Sequence, residues 1–136
     1  MELKIKRNVD LLNEFSYIRY LAPNAILSGS LALMLHGKIK EREANDIDII
    51  LPAYVDLSVV GTIRLHPEVY LAKSYSITTK NGTNVDIIVD PLRPWITIDY
   101  IKVSRWEHIA VKKAEAIILF GSTKHKEELI FLLSNL

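Results

Sequence analysis

The chain has 136 residues, and at 49% hydrophobic it has ample material for the core of one compact domain. Seventeen basic and 16 acidic residues leave a formal charge of +1, which excludes a basic nucleic-acid footprint and any long charged tail. There is no cysteine, so disulfides, thiolate metal sites and a cysteine nucleophile are excluded as well.

The opening segment MELKIKRN lacks the apolar stretch of a signal peptide, and no apolar run approaches the roughly 20 residues of a membrane-spanning helix. A cytoplasmic protein without membrane contact, forming one domain over 1–136, is the expectation. Apolar residues at Val9, Leu12, Phe15, Ile18 and Leu21 predict a helix that Pro23 ends. Ala25 to Leu27 predicts a short buried strand running into Gly29-Ser30. Ser30 to His36 is helical in composition, with Gly37 as its cap. Lys38 to Asn45 is polar and predicts a loop.

Asp46 to Leu51 (DIDIIL) is a β-branched strand stopped by Pro52. A short helix is expected between Ala53 and Leu65, and a strand within Glu68 to Thr79, clearest from Tyr75. Asn81-Gly82 is a hairpin signal, which is also how the sequon Asn81-Gly82-Thr83 is read; the return strand is Val85 to Val89. Pro91 to Ile98 reads as irregular and Tyr100 to Val103 as a short edge strand. Ser104 and Glu107 have the spacing of a capping box, and the helix they open should reach Phe120, with Gly121 as its cap. A last helix starts near Ser122-Thr123. The order describes an α/β (α+β) domain, a mixed β-sheet with helices packed against it.

Asp46 and Asp48 are the sharpest chemical feature. Alternation along a strand puts both carboxylates on one face, while Ile47, Ile49 and Leu51 take the core face. Such a pair of hard oxygen donors suits Mg²⁺, which takes one or two carboxylates together with substrate phosphates. Solvated aspartates at a strand end are the bland alternative. Asp86 opens a second apolar strand (VDIIVD). If that strand runs parallel to the first, Asp86 meets the pair; if antiparallel, Asp90 is the nearer carboxylate.

Gly29-Ser30 stands where a strand turns into a helix, and unpaired helix N–H groups there suit a phosphate. On the Ser104 helix, Trp106, Ile109, Ala110, Lys113, Ile117 and Phe120 share one stripe, with Lys112 pointing away. Lys113 in that stripe either snorkels outward or faces a polar site. Lys126, near the start of the last helix, is poorly placed for the helix dipole and is either solvated or held by an anion. The four histidines (His36, His66, His108, His125) show no metal-ligand spacing and read as surface or partly buried.

Together LSGSLALMLHG, NDIDIIL and NVDIIVD resemble the nucleotidyltransferase superfamily, which has a polymerase-beta-like fold. SRWEHIAVKKAEAIILFGSTKHKEEL is similar to the paired helices of its small prokaryotic branch, the minimal and abortive-infection-toxin-like enzymes. The resemblance covers roughly Ala25 to Leu133. It implies transfer of a nucleoside monophosphate from a nucleoside triphosphate, ATP among them, to a hydroxyl acceptor, with release of pyrophosphate. Gly29, Ser30, Lys113 and Lys126 would then bind the nucleotide, Glu127 standing where the branch has an aspartate. Asp46, Asp48 and Asp86 would be the catalytic carboxylates and would hold Mg²⁺ or Mn²⁺. Relatives modify small molecules, proteins and RNA ends, so the acceptor is open. So short a chain leaves room for a homo-oligomer or a partner chain to complete the acceptor pocket.

Two other readings stay open: a non-catalytic nucleotide- or partner-binding member of the same fold, such as half of a toxin–antitoxin or regulatory pair, and a structural domain whose polar residues are all surface. Convergence of Asp46, Asp48 and Asp86 within metal-bridging reach is what the enzyme and nucleotide-binding readings both require.

Overall fold

The computed structural model describes residues 2–69 and 72–134; for 66–69, 72, 73, 124 and 131 it describes the backbone alone. In chain order the elements are α1 (Lys6–Leu21), β1 (Ile26–Ser28), α2 (Gly29–Leu35), β2 (Asp46–Leu51), β3 (Gly61–Val69), β4 (Ala72–Thr79), β5 (Asn84–Val89), β6 (Trp95–Ile98), β7 (Ile101–Ser104), α3 (Trp106–Phe120) and α4 (Thr123–Ser134). Among the described residues the strands form one seven-stranded sheet in the order β3-β4-β5-β2-β1-β7-β6. β2 with β5 and β1 with β7 are parallel, and the remaining neighbours are antiparallel. This is the mixed sheet with packed helices that the element order implies. No helix among the described residues is long and apolar enough to cross a membrane.

The core follows the alternation of the central strands. Ile47, Ile49 and Leu51 of β2 and Val85 and Ile87 of β5 are buried in one cluster with Leu11, Phe15 and Ile18 of α1. Leu31, Leu33 and Met34 of α2 join the same cluster. The even-numbered side chains of β2 and β5 are thereby turned to the opposite face of the sheet, where the candidate site lies.

Several elements depart from the sequence expectation. α1 begins at Lys6 and presents Asn8, fully buried, where the apolar stripe placed Val9, which is 38% exposed. The short helix expected between Ala53 and Leu65 is instead a turn followed by β3. β3 is an edge strand, where Pro67 is tolerated, and its pairing slips between His66 and Val69. Of the expected strand from Glu68 to Thr79, Tyr70 and Leu71 lie outside the described residues, as does the side chain of His66.

Trp95–Ile98, read as irregular, is the outer strand β6, so β7 is internal, lying between β1 and β6. The two strands are joined by Asp99 and Tyr100, both with positive φ (50° and 66°), the conformation of a two-residue hairpin turn. Arg19 Nη1 donates to the Tyr100 carbonyl at 2.8 Å, tying this turn to the end of α1. The capping box is not formed. Ser104 is the last residue of β7, its Oγ is buried with no hydrogen-bond partner, and the N-cap of α3 is Arg105. Gly121 does end α3 in the left-handed conformation, at φ 63°.

Candidate active site

The parallel pairing of β2 with β5 settles which carboxylate meets the Asp46/Asp48 strand. Asp48 stands directly opposite Asp86, and Asp46 opposite Asn84. Asp90 lies beyond the end of β5, its N–H donating to the Leu51 carbonyl at 2.8 Å. Asn84 Nδ2 donates to Asp86 Oδ2 at 3.2 Å, which helps orient that carboxylate. Like charges placed directly opposite one another are unfavourable unless a cation lies between them.

The convergence that the enzyme and nucleotide-binding readings require is met in part: Asp48 and Asp86 stand opposite one another, and Asp46 does not complete a metal-holding group with them. Among the described residues no group of three His, Cys, Asp or Glu side chains is gathered tightly enough to hold a metal. Asp46 shares the face of Asp48, two residues along the extended strand. Asp46 is also exposed, while Asp48 and Asp86 are half-buried. The donor set therefore suits a cation that needs one or two carboxylates plus ligand oxygens, as Mg²⁺ does, and not a closed all-protein site.

Gly29 adjoins this pair. It has φ +66°, and a Cβ built on it would fall 2.0 Å from Asp48 Oδ2. The residue is thus glycine for two reasons, a left-handed backbone and a carboxylate packed against its Cα. α2 starts at Gly29, one residue earlier than Ser30, so the strand-to-helix turn lies directly beside the aspartate.

A cavity of about 680 Å³ opens over these residues, a size usual for small-molecule sites. Ser28, Gly29, Asp48 and Asp86 line it together with Asp90, Arg93, Lys112, Lys113 and His125 and a set of apolar side chains. Ser30, Asp46 and Lys126 do not line it. Lys126 is exposed on the first turn of α4. Lys112, expected to point away, does line the cavity and also pairs with Glu115 at 3.2 Å.

Lys113 is buried and does not snorkel. Its Nζ is hydrogen-bonded and ion-paired to Glu128 Oε2. Glu128 Oε1 in turn accepts from Arg42 Nη2 at 3.1 Å, and the same Nη2 reaches Ser30 Oγ at 3.2 Å. One chain of contacts therefore runs from Ser30 through Arg42 and Glu128 to Lys113, linking the first turn of α2 to both C-terminal helices. Glu128 and Arg42 were not singled out in the sequence. The signal for Glu128 was available: a lysine fixed in an apolar stripe requires a counter-charge, and α4 carries Glu127 and Glu128 side by side. Glu127 is exposed.

Arg93 was also missed. Its side chain is 3% exposed, and Asp90 Oδ2 stands 3.5 Å from Nε in a long ion pair. Burial pushes the guanidinium pKa down, against the opposing effect of Asp90. Nearby His108 is held below its ordinary value by burial first and then by the charges of Arg93 and Lys112.

Comparison with known proteins identifies the fold. No protein-family model and no curated protein matches the chain. Solved structures do, and what they share with the chain is the fold. The chain is similar to ANT(2″)-Ia, solved in complex with adenylyl-2″-tobramycin, with a TM-score of 0.60 at 15% identity, covering 93% of this chain and 87% of that one. It also matches an antigenic nucleotidyltransferase-like protein from Paracoccidioides brasiliensis, with a TM-score of 0.48 at 14% identity, covering 97% of this chain and 78% of that one.

Proposed function

We propose that the chain transfers a nucleoside monophosphate from a nucleoside triphosphate to a hydroxyl acceptor. The observation that carries this reading is the contact of Gly29 with Asp48, with Asp86 directly opposite in the parallel strand and a cavity of about 680 Å³ above them. A strand-to-helix turn that admits phosphate oxygens thus adjoins two facing carboxylates whose charge a bound cation would offset. The superfamily fold supports the same reading.

In the proposed reaction the acceptor oxygen forms a bond to the α-phosphorus. The bond from that phosphorus to the oxygen bridging to the β-phosphate breaks, and pyrophosphate leaves. The acceptor proton passes to a carboxylate, and Asp86, held by Asn84, is assigned that task. Asp48 and Asp86 would hold Mg²⁺, or Mn²⁺ in its place, which when bound supplies Lewis-acid stabilisation of the phosphate oxygens, and Asp46 would join them only if its exposed side chain turns toward the cavity. Gly29 seats the phosphates, and Ser30, whose hydroxyl accepts from Arg42, joins it only by turning toward the cavity. Lys113 offsets the phosphate charge, and Lys126 reaches the phosphates only if the side chain swings from its exposed position.

The acceptor class is a small molecule, protein or RNA hydroxyl. ANT(2″)-Ia was solved with a nucleotide-modified aminoglycoside, which makes small polyhydroxylated molecules the first acceptors to screen. A second subunit or partner chain completing the acceptor pocket belongs to the same proposal. Calorimetric titration with the four triphosphates and Mg²⁺ tests the reading. Metal-dependent binding that the Asp48→Asn/Asp86→Asn double variant abolishes is expected, followed by pyrophosphate release once an acceptor is present. Unchanged binding in the folded double variant would sink it.

One observation favours a second reading, a nucleotide-binding member without transfer. Lys113, the cation expected to meet the phosphates, is already engaged by Glu128. Tight triphosphate binding with no pyrophosphate release across an acceptor screen supports that reading; release decides against it.

A further inference from the structure

We propose that Arg93 selects the base of the bound nucleotide, favouring bases that present carbonyl oxygens (guanine, cytosine, uracil) over adenine. This inference rests on the nucleotide reading above and concerns the end of the cavity remote from the aspartates.

Position comes first. Asp48 and Asp86 sit near the starts of β2 and β5, whereas Arg93 follows the turn beyond the end of β5. Asp86 and Asp90 are four residues apart along the chain, about 13 Å in an extended strand. Both Asp86 and Arg93 line the one cavity. That span is comparable with the reach from the phosphates of an extended nucleotide to its base. With phosphates at Gly29 and Asp48, the base reaches the Arg93 end. The wall between is apolar, formed by Ile50, Ile88, Leu92, Ile109 and Ala116, and suits a flat heterocycle.

Charge then narrows what Arg93 can receive. The cations at this end already have carboxylates: Arg93 with Asp90 and Lys112 with Glu115. A second anion would therefore meet no net positive charge. Hydrogen bonding is another matter. Arg93 is nine-tenths buried, its Nε has no hydrogen-bond partner, and the long contact with Asp90 leaves the guanidinium donors undersupplied. A buried guanidinium, with five N–H donors and no acceptor, requires acceptor atoms. A neutral ligand with adjacent acceptors meets both conditions. Guanine offers O6 with N7 and cytosine offers O2 with N3 as adjacent pairs, while uracil offers two single carbonyls on either side of N3–H. Adenine places an amino donor beside N7, against which a guanidinium has nothing to accept.

The test is calorimetric titration of the full chain with GTP, CTP, UTP and ATP in Mg²⁺. The four share ribose and triphosphate, so their ranking isolates the base. At least one carbonyl-bearing triphosphate should bind roughly tenfold or more tightly than ATP. In Arg93→Met, which keeps length without donors, and in Arg93→Lys, which keeps charge without the planar fork, that preference should shrink to about twofold or less. ATP binding as tightly as the others in the wild-type chain overturns the inference and leaves the proposed function standing. So does a preference that persists in either variant, each confirmed as folded by its thermal melt. No binding of any triphosphate overturns both. If Arg93→Met does not fold, Arg93→Lys and the wild-type ranking decide.

Discussion

The Cα of Gly29 lies so close to the carboxylate of Asp48 that a Cβ at position 29 would fall 2.0 Å from Oδ2. This contact turns a flexible glycine into a fixed part of the site. It also supplies a sharp comparison, because Gly37 has a similar left-handed backbone (φ +71°) with nothing within 4 Å of the place a Cβ would take.

Gly37→Ala should therefore cost only the backbone strain, about 1 kcal/mol. Gly29→Ala adds displacement of Asp48 and should cost about 3 kcal/mol in all, with loss of Mg²⁺-dependent triphosphate binding. Urea denaturation of the two variants measures the difference. Equal losses would show that Asp48 yields freely and is not held by this contact.

Much of this site was legible in the chain because it is local. Asp46-x-Asp48 needs only the two-residue period of a strand, and Gly29 only its place between strand and helix. Asp86 against Asp90 was undecidable from the chain, since both have the same parity; the parallel register of β2 with β5 decides it. Glu128 lies 15 residues from Lys113 on another helix, and Arg42 sits 86 residues from Glu128, so no periodicity connects them. β6 was missed because Asp99-Tyr100 makes its hairpin turn with non-glycine residues. The Ser104 capping box failed because the sheet claims Ser104 first, pairing it with Trp95.

Lys113 and Glu128 form a largely buried pair, with side chains 8% and 18% exposed. Removing one partner strands the other charge. Glu128→Gln should cost about 2–3 kcal/mol, moderated from the fully buried case by Arg42 and by the residual exposure. The double variant Lys113→Met/Glu128→Met should recover to within about 1 kcal/mol of wild type, because neither charge then needs compensation. It should nevertheless bind triphosphate more weakly, since the proposed phosphate partner is gone. A double variant that binds as tightly as wild type would remove Lys113 from the site. Chemical denaturation and calorimetry on the same samples read both effects.

His108 gives the fold a pH dependence. Burial first, then the charges of Arg93 and Lys112, hold its pKa below the ordinary 6.5, with Asp90 and Glu115 opposing. Its Nε2 is buried without a hydrogen-bond partner, consistent with a neutral ring. The unfolded chain takes up a proton near 6.5 while the folded chain resists. The associated stability is thus fully present above that pH and lost as pH falls through the folded-state value. Thermal melts between pH 7.5 and roughly 5 should show falling Tm, and His108→Gln should flatten that slope. An unchanged slope in His108→Gln would assign it to the carboxylates instead.

Asn8 holds the loop that carries Arg42. It is fully buried. Its Nδ2 donates to Glu41 Oε2 at 3.0 Å and to the Arg42 carbonyl at 2.9 Å, and its Oδ1 accepts from the Ala44 N–H at 2.9 Å. Glu41 completes the clamp by accepting from the Lys4 and Ile5 N–H groups at 2.8 and 2.7 Å. Burial pushes the Glu41 carboxyl up, but the Lys4 amide, Asn8, the Ile5 amide and the Lys4 charge together hold it below its ordinary value. Asn8→Ala leaves the Ala44 N–H and the Arg42 carbonyl without these partners and should cost about 2–3 kcal/mol. Because Arg42 joins Ser30 to Glu128, loosening the loop should also weaken triphosphate binding severalfold, although Asn8 does not line the cavity. Hydrogen exchange separates this from a general loss of stability. The Ala44 amide should lose more protection in Asn8→Ala than the Ile49 amide in the central strand. Equal losses at both amides would make Asn8 a contributor to global stability alone, with no particular hold on the loop beside the site.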